Sequence, residues 1–250
     1  MNLREFYQFV GEESEDGKRA RRLLDQQHWY SLVVDFDPRT GQALTVGLDK
    51  VLDKIYRKPE VKETRDRLWR LVEHSKVAVE RIITSLAETP RREQAILSIS
   101  KVRELTPSSF EALSRRPGRN IREKLADKPY MQAVRRYQSV DIPQNQLFKE
   151  FVIQVAELLE LKEQFLGDDD PMISTINRWL RTAEAKKISR WKNLAPNNSL
   201  LSHRDYRRIW DAWKWLQEID TQIDKDLNDI EDRAATVIKW ESYAKKYAQG

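Results

Sequence analysis

The chain has 250 residues, with 45 Lys and Arg against 40 Asp and Glu, and no cysteine, which excludes disulfides, thiolate nucleophiles and thiolate metal sites together. A charged fraction of 34% with only 7 glycines argues for long exposed helices and against sandwiches and barrels. A net charge of +5 is too mild by itself to mark a nucleic-acid binder, so the placement of the charges decides.

Residues 2–28 read as one or two short helices interrupted by the acidic stretch 11–17. The N-terminus lacks an apolar core of signal-peptide length, and no run of about 18 apolar residues occurs, so a cytoplasmic location without a membrane contact is expected. WYSLVVD (Trp29–Asp35) is aromatic and β-branched, PRTG (Pro38–Gly41) carries turn chemistry, and ALTVG (Ala43–Gly47) fits a returning strand: a small N-terminal β-hairpin. From Glu60 to Leu86, Leu68, Leu71, Val72, Val79, Ile82, Ile83 and Leu86 recur at three and four, the stripe of an amphipathic helix that Pro90 ends. Residues 95–105 fit a strand or a helix equally. Pro107, Pro117, Gly118 and Pro129 stand among Arg115, Arg116, Arg119 and Arg122, which predicts short helices and turns exposing guanidinium groups. The subdomain boundary is placed here, between an N-terminal region, 1–105, and a helical domain, 106–250.

Asp141 reads as an N-cap, with Pro143 in the first turn and Gln144 placed for a capping box. The apolar run from Leu147 to Phe165 follows, covering more than one face, as a central buried helix does. GDDDP (Gly167–Pro171) breaks it, and a helix resumes from Met172 to Lys187. Ile209, Trp213, Leu216, Asp220, Ile223, Leu227, Ile230, Ala234 and Val237 then alternate steps of four and three, a heptad seam. The predicted fold is mainly α: a helical bundle whose C-terminal segment is either one long helix or a helical hairpin turning near Asp220.

No Gly-rich phosphate loop, nucleophile elbow or histidine metal motif is present, and no cofactor or metal is expected. Glu160 and Lys162, with Asp141 upstream, match the carboxylate and lysine types of PD-(D/E)XK nucleases. That chemistry needs the pair on a strand, and here they fall in a helical pattern where residues two apart diverge. Arg67 with His74, or Arg22 with His28, are spaced like the Arg and His of helical HEPN-type ribonucleases, without the usual polar residue after the arginine. Basic clusters fall at Arg115, Arg116, Arg119, Arg122, Arg135 and Arg136, and at Arg178, Arg181, Lys186, Lys187, Arg190 and Lys192 with Trp179 and Trp191 interleaved. Arginines beside aromatic rings suit phosphate contacts and stacking, and solvated helix faces are the competing reading. Trp210, Trp213 and Trp215 cannot share one helix side, so at least one is a candidate partner anchor unless all three pack into the bundle.

Two segments carry a family resemblance. In SVDIPQNQLFKEFVIQVAELL (Ser139–Leu159), Asp141, Pro143, Asn145, Phe148 and Lys149 match a D-T-P-E-N-R-x-V-K segment, with Ile142 and Gln144 where Thr and Glu are usual. In NSLLSHRDYRRIWDAWKWL (Asn198–Leu216), Ser199, Tyr206, Arg207 and Trp213 match a later S-x-x-L-x-x-x-x-x-Y-R-x-x-x-x-x-W segment. Over about residues 105 to 220 the chain thus resembles the helical domain that precedes the nuclease of McrC-like restriction proteins. The resemblance implies a prokaryotic antiviral defence setting beside an AAA+ ring of the McrB type. A nuclease domain follows the helical domain in that family, and none is expected in these residues. A fragment, a separate nuclease subunit or a nuclease-free adaptor each fit.

The leading expectation is a non-catalytic adaptor or DNA-engaging subunit of a McrBC-like system. Arg115, Arg116, Arg119, Arg122, Arg135, Arg136, Arg190 and Lys192 are its nucleic-acid candidates, and Trp210, Trp213 and Trp215 its anchors for an AAA+ or nuclease subunit. The alternatives are the targeting part of a nuclease whose catalytic domain lies outside the chain, a helical nucleic-acid-binding protein, and an oligomer built on the C-terminal seam.

Overall fold

The computed structural model describes residues 1–36, 43–45, 66–126 and 129–248, and over these the chain is mainly α-helical. The described residues fall into two compact units, one within Met1–Ser85 and Pro143–Gly250, the other within Leu86–Ile142.

Helix α1 (Leu3–Val10) starts with a capping box: Glu5 N donates to the Asn2 side chain at 2.8 Å, and Asn2 N donates to the Glu5 carboxylate at 3.0 Å. Its face of Leu3, Phe6, Tyr7 and Val10 is buried. Helix α2 (Glu15–Val33) carries Glu15 and Asp16 in its first turn, where negative charge favours the helix dipole. It runs helical through Trp29–Val33, so the aromatic start of the expected strand belongs to the helix. The hairpin is shorter than predicted: β1 (Val34–Phe36) pairs antiparallel with β2 (Ala43–Thr45). The PRTG turn and residues 46–47 lie outside the described residues. Helix α3 (Arg67–Thr84) is capped by Asp66, which accepts from Trp69 N at 2.8 Å, and it buries Leu68, Leu71, Val72, Val79 and Ile82 of the predicted stripe. It stops at Thr84, ahead of Leu86 and Pro90, and residues 60–65 lie outside the described set.

The smaller unit is built on two ten-residue strands, β3 (Thr89–Ser98) and β4 (Tyr130–Ser139), antiparallel from the Thr89–Ser139 pair to the Ser98–Tyr130 pair. A 3-10 turn (Ile99–Lys101), α4 (Pro107–Ser114) and α5 (Ile121–Leu125) connect them, and α4 lies against β4. Thr106 with Pro107 in the first turn opens α4, and Asn120 caps α5. Of the two readings open for 95–105, the strand holds through Ser98 and a 3-10 turn follows. The compact units divide at 85/86 and 142/143, not at 105/106: the Pro- and Arg-rich stretch is the connection inside a hairpin, and turn chemistry there joins paired strands.

Helix α6 (Pro143–Leu166) opens at Pro143 and buries Leu147, Phe148, Phe151, Val152, Val155, Leu158 and Leu159, as a central helix should. It is followed by α7 (Pro171–Leu180), capped by Asp170, then α8 (Ala183–Lys187) and α9 (Asn198–Ser202). Helix α10 (Arg204–Ala248) runs unbroken for 45 residues and packs along α3 and α6, so the long helix replaces the hairpin alternative. Seam residues Ile209, Trp213, Leu216, Ile223 and Leu227 are buried. Asp220 does not break the seam because it is exposed, with Ile219 buried in its place; Leu3 N donates to the Asp220 carboxylate at 2.8 Å, and the Met1 ammonium lies 3.3 Å from Asp224 one turn on. Two acids of α10 thus hold the start of α1. No described helix is long and apolar enough to cross a membrane.

Candidate nucleic-acid interface

Charge is unevenly divided. Residues 86–142 hold twelve Lys and Arg against seven Asp and Glu, and the rest of the chain holds 33 of each, so the whole net charge of +5 resides in the smaller unit.

The strand register sets which side chains share a face, because directly opposed residues point the same way and alternate along the strand. Ser98 and Tyr130, Ile96 and Gln132, Gln94 and Val134, and Arg92 and Arg136 form one face. Ile96 is 77% exposed and Tyr130 55% exposed there, while Val134 at the middle of the same face is buried, as are Met131 and Ala133 on the opposite face. Like charges facing each other across strands repel, so the Arg92–Arg136 pair needs a counter-charge. Glu104 supplies it, 3.2 Å from Arg92 and 2.6 Å from Arg136. Its backbone carbonyl accepts from Val134 N at 3.0 Å, which holds Glu104 beside β4. Arg135 faces Glu93 at 3.9 Å.

The predicted arginines around the connection differ in their freedom. Arg115 pairs with Glu111 on α4, and Arg116 donates to the Tyr130 carbonyl at 2.7 Å. Arg119 and Arg122 are exposed, and neither guanidinium has a hydrogen bond or ion pair among the described residues. Lys101 and Arg103 share that state and were not singled out by sequence, because they sit in a segment whose secondary structure was ambiguous. Arg190 and Lys192 are exposed in the larger unit, on the segment after α8. The rings between that unit's cations are core: Trp179 and Trp191 are buried, Trp179 edge-on to Phe148 at 5.0 Å.

The tryptophan triplet is split. Trp213 is buried in the bundle, and Trp210 and Trp215 are half-buried, with Trp215 lying 4.5 Å from the His74 ring. Arg67 is bound through two nitrogens to Asp226 at 2.6 and 2.9 Å while His74 is buried against Trp215, so this pair does not flank a shared opening. The side chain of His28 lies outside the described residues. Glu160 and Lys162 diverge on α6: Glu160 accepts from Asn177 at 3.1 Å, and Lys162 turns inward, 3.4 Å from both Asp66 and Asp168.

That buried cluster escaped sequence reasoning because its members come from three distant segments. Lys162 is 4% exposed, and Tyr7, fully buried, donates to Asp66 at 2.6 Å. Burial, then the charge and hydrogen bond of Asp66, hold the Tyr7 phenol well above the usual tyrosine range. Asp66 meanwhile caps α3, so one carboxylate serves a helix start, a phenol and an ammonium group.

The segments that carry the family resemblance meet inside the larger unit. Tyr206 donates its hydroxyl to the Asn145 side chain, both buried, and Lys149 donates to the Ala185 and Ile188 carbonyls at 2.9 and 2.7 Å. The chain matches none of the protein-family models, curated proteins or solved structures compared with it.

Proposed function

We propose that this chain is a non-catalytic, cytoplasmic, DNA-engaging adaptor of a McrBC-like antiviral system. The observation that carries the DNA half is the concentration of the net charge in residues 86–142, with Lys101, Arg103, Arg119 and Arg122 exposed and uncommitted. Such cations neutralise phosphates and release counterions, which yields affinity with little sequence preference. The larger unit supplies the adaptor half, its half-buried Trp210 and Trp215 on α10 being the anchors for an AAA+ or nuclease subunit. The resemblance of residues 139–159 and 198–216 to the McrC-like helical domain supports that partner class.

Affinity purification from cells expressing the neighbouring genes, with nuclease treatment in one arm, tests the adaptor half. Recovery of an AAA+ or nuclease subunit that survives the treatment is expected. Recovery of nucleic acid alone would reduce the function to DNA binding. Charge reversal of Arg119 and Arg122 tests the DNA half: affinity should fall about equally for unrelated sequences, and unchanged affinity would remove both residues.

A further inference from the structure

Among the described side chains, the exposed Phe, Tyr and Trp rings are Phe110, Tyr130 and Tyr137, and all three lie in the smaller unit. The other described Phe, Tyr and Trp side chains are buried or half-buried, and the exposed imidazole of His203 lies in the larger unit. Phosphate contacts to a duplex have no use for an exposed ring, whereas unpaired bases stack on one and cations beside it take the backbone.

The two ends of one face of the β3–β4 ribbon carry these parts. Tyr130 lies diagonal to Ile96 across the strands, about 7–8 Å away by the spacing of such pairs, so ring and aliphatic chain form one exposed apolar step. Arg116 is tied to the Tyr130 carbonyl at 2.7 Å, placing a guanidinium group beside that step. Beyond the Gln94–Val134 pair, where Val134 is buried and Gln94 donates to Ser108, the same face carries Arg92 and Arg136, the latter six residues and about 20 Å from Tyr130 at the rise of a strand. Glu104 neutralises only one of these two charges, leaving the pair cationic.

We infer that this face binds single-stranded DNA: an unpaired base stacks on Tyr130 against Ile96, and the backbone passes the covered Gln94–Val134 pair to reach the cations Arg92 and Arg136. The inference rests on the DNA-engaging reading and specifies its ligand as an unpaired strand. The net positive charge of this unit is complementary to a strand whose bases are open to stacking, and a paired duplex hides those faces.

The test is fluorescence anisotropy of the full chain with a labelled mixed-sequence DNA strand, with the duplex that strand forms with its complement, and with an abasic strand of equal length. The wild-type chain should prefer the strand to both. Tyr130→Ala should weaken strand binding about tenfold, leave duplex and abasic binding unchanged, and be rescued by Tyr130→Phe. Because Tyr130 is exposed, circular dichroism of the variant should match the wild type. If the chain binds duplex as tightly as strand, or Tyr130→Ala changes both alike, the inference falls while the DNA-engaging reading stands. If the wild type binds no DNA even at low salt, both fall.

Discussion

Tyr206, near the start of α10, donates its hydroxyl to the side-chain oxygen of Asn145 in the first turn of α6, with both residues buried. Two polar groups of the larger unit's core thereby bond each other, and removing the hydroxyl takes one buried hydrogen bond from Asn145. Tyr206→Phe should cost about 1–3 kcal/mol in urea denaturation. Adding Asn145→Leu should recover part of that loss, because the amide that lost this bond goes with it. A double variant as unstable as the sum of two independent losses would show that the bond is not the cause.

Lys162 is the buried cation between Asp66 and Asp168. Lys162→Met leaves two carboxylates in the core without it, and a loss of about 3–5 kcal/mol is expected from thermal or urea melts. Lys162→Met combined with Asp168→Asn should be more stable than Lys162→Met alone, since one of the two carboxylate charges is removed. The opposite order would mean that Asp168 is held by something other than charge.

The Tyr7 phenol is held above its usual range by burial and by Asp66, so it stays protonated in the fold at a pH where the unfolded chain ionises. A raised folded-state pKa gives stability that is complete below the unfolded value of about 10 and is lost as pH rises from there towards the folded value. The wild type should therefore lose stability above about pH 10 more steeply than Tyr7→Phe, which has no phenol to ionise. Near neutral pH, Tyr7→Phe should be the less stable by about 1–3 kcal/mol, the hydrogen bond to Asp66 being gone. Parallel curves for the two proteins above pH 10 would contradict this, the threshold being the roughly unperturbed tyrosine value.

Glu104 competes with phosphate for Arg92 and Arg136. Exposed ion pairs contribute about 0–1 kcal/mol, so Glu104→Gln should shift the melting temperature little. It frees two guanidinium groups, and DNA affinity at low salt should rise several-fold. Weaker binding would mean that Glu104 positions the arginines more than it masks them.

Elements governed by local chemistry were legible in the sequence. The stripes of Leu68 to Ile82 and Ile209 to Leu227 mark helices because burial on one side repeats with the helical turn. The α6 core residues read through for the same reason. Strand β4 did not: Ala133 and Val134 are buried in succession and Arg135, Arg136 and Tyr137 are exposed in succession, so period-two alternation is lost. Its identity depends on β3 and on Glu104, which pairing alone reveals. Charge clusters located the arginines of the candidate interface, but which are committed depended on Glu93, Glu104, Glu111 and the Tyr130 carbonyl. The Lys162 cluster was hidden because Tyr7, Asp66 and Asp168 are joined only by folding.

The central claim is that residues 86–142 hold DNA through phosphate-directed cations, and the most direct test is the salt dependence of binding. Equilibrium affinity for a mixed-sequence DNA should be measured across a salt series for the full chain and for Arg119→Glu with Arg122→Glu. The account predicts a steep linear fall of log affinity with log salt for the wild type, and a slope shallower by about 1 for each removed phosphate contact in the variant. A wild-type affinity that does not depend on salt, or two slopes that coincide, would contradict it.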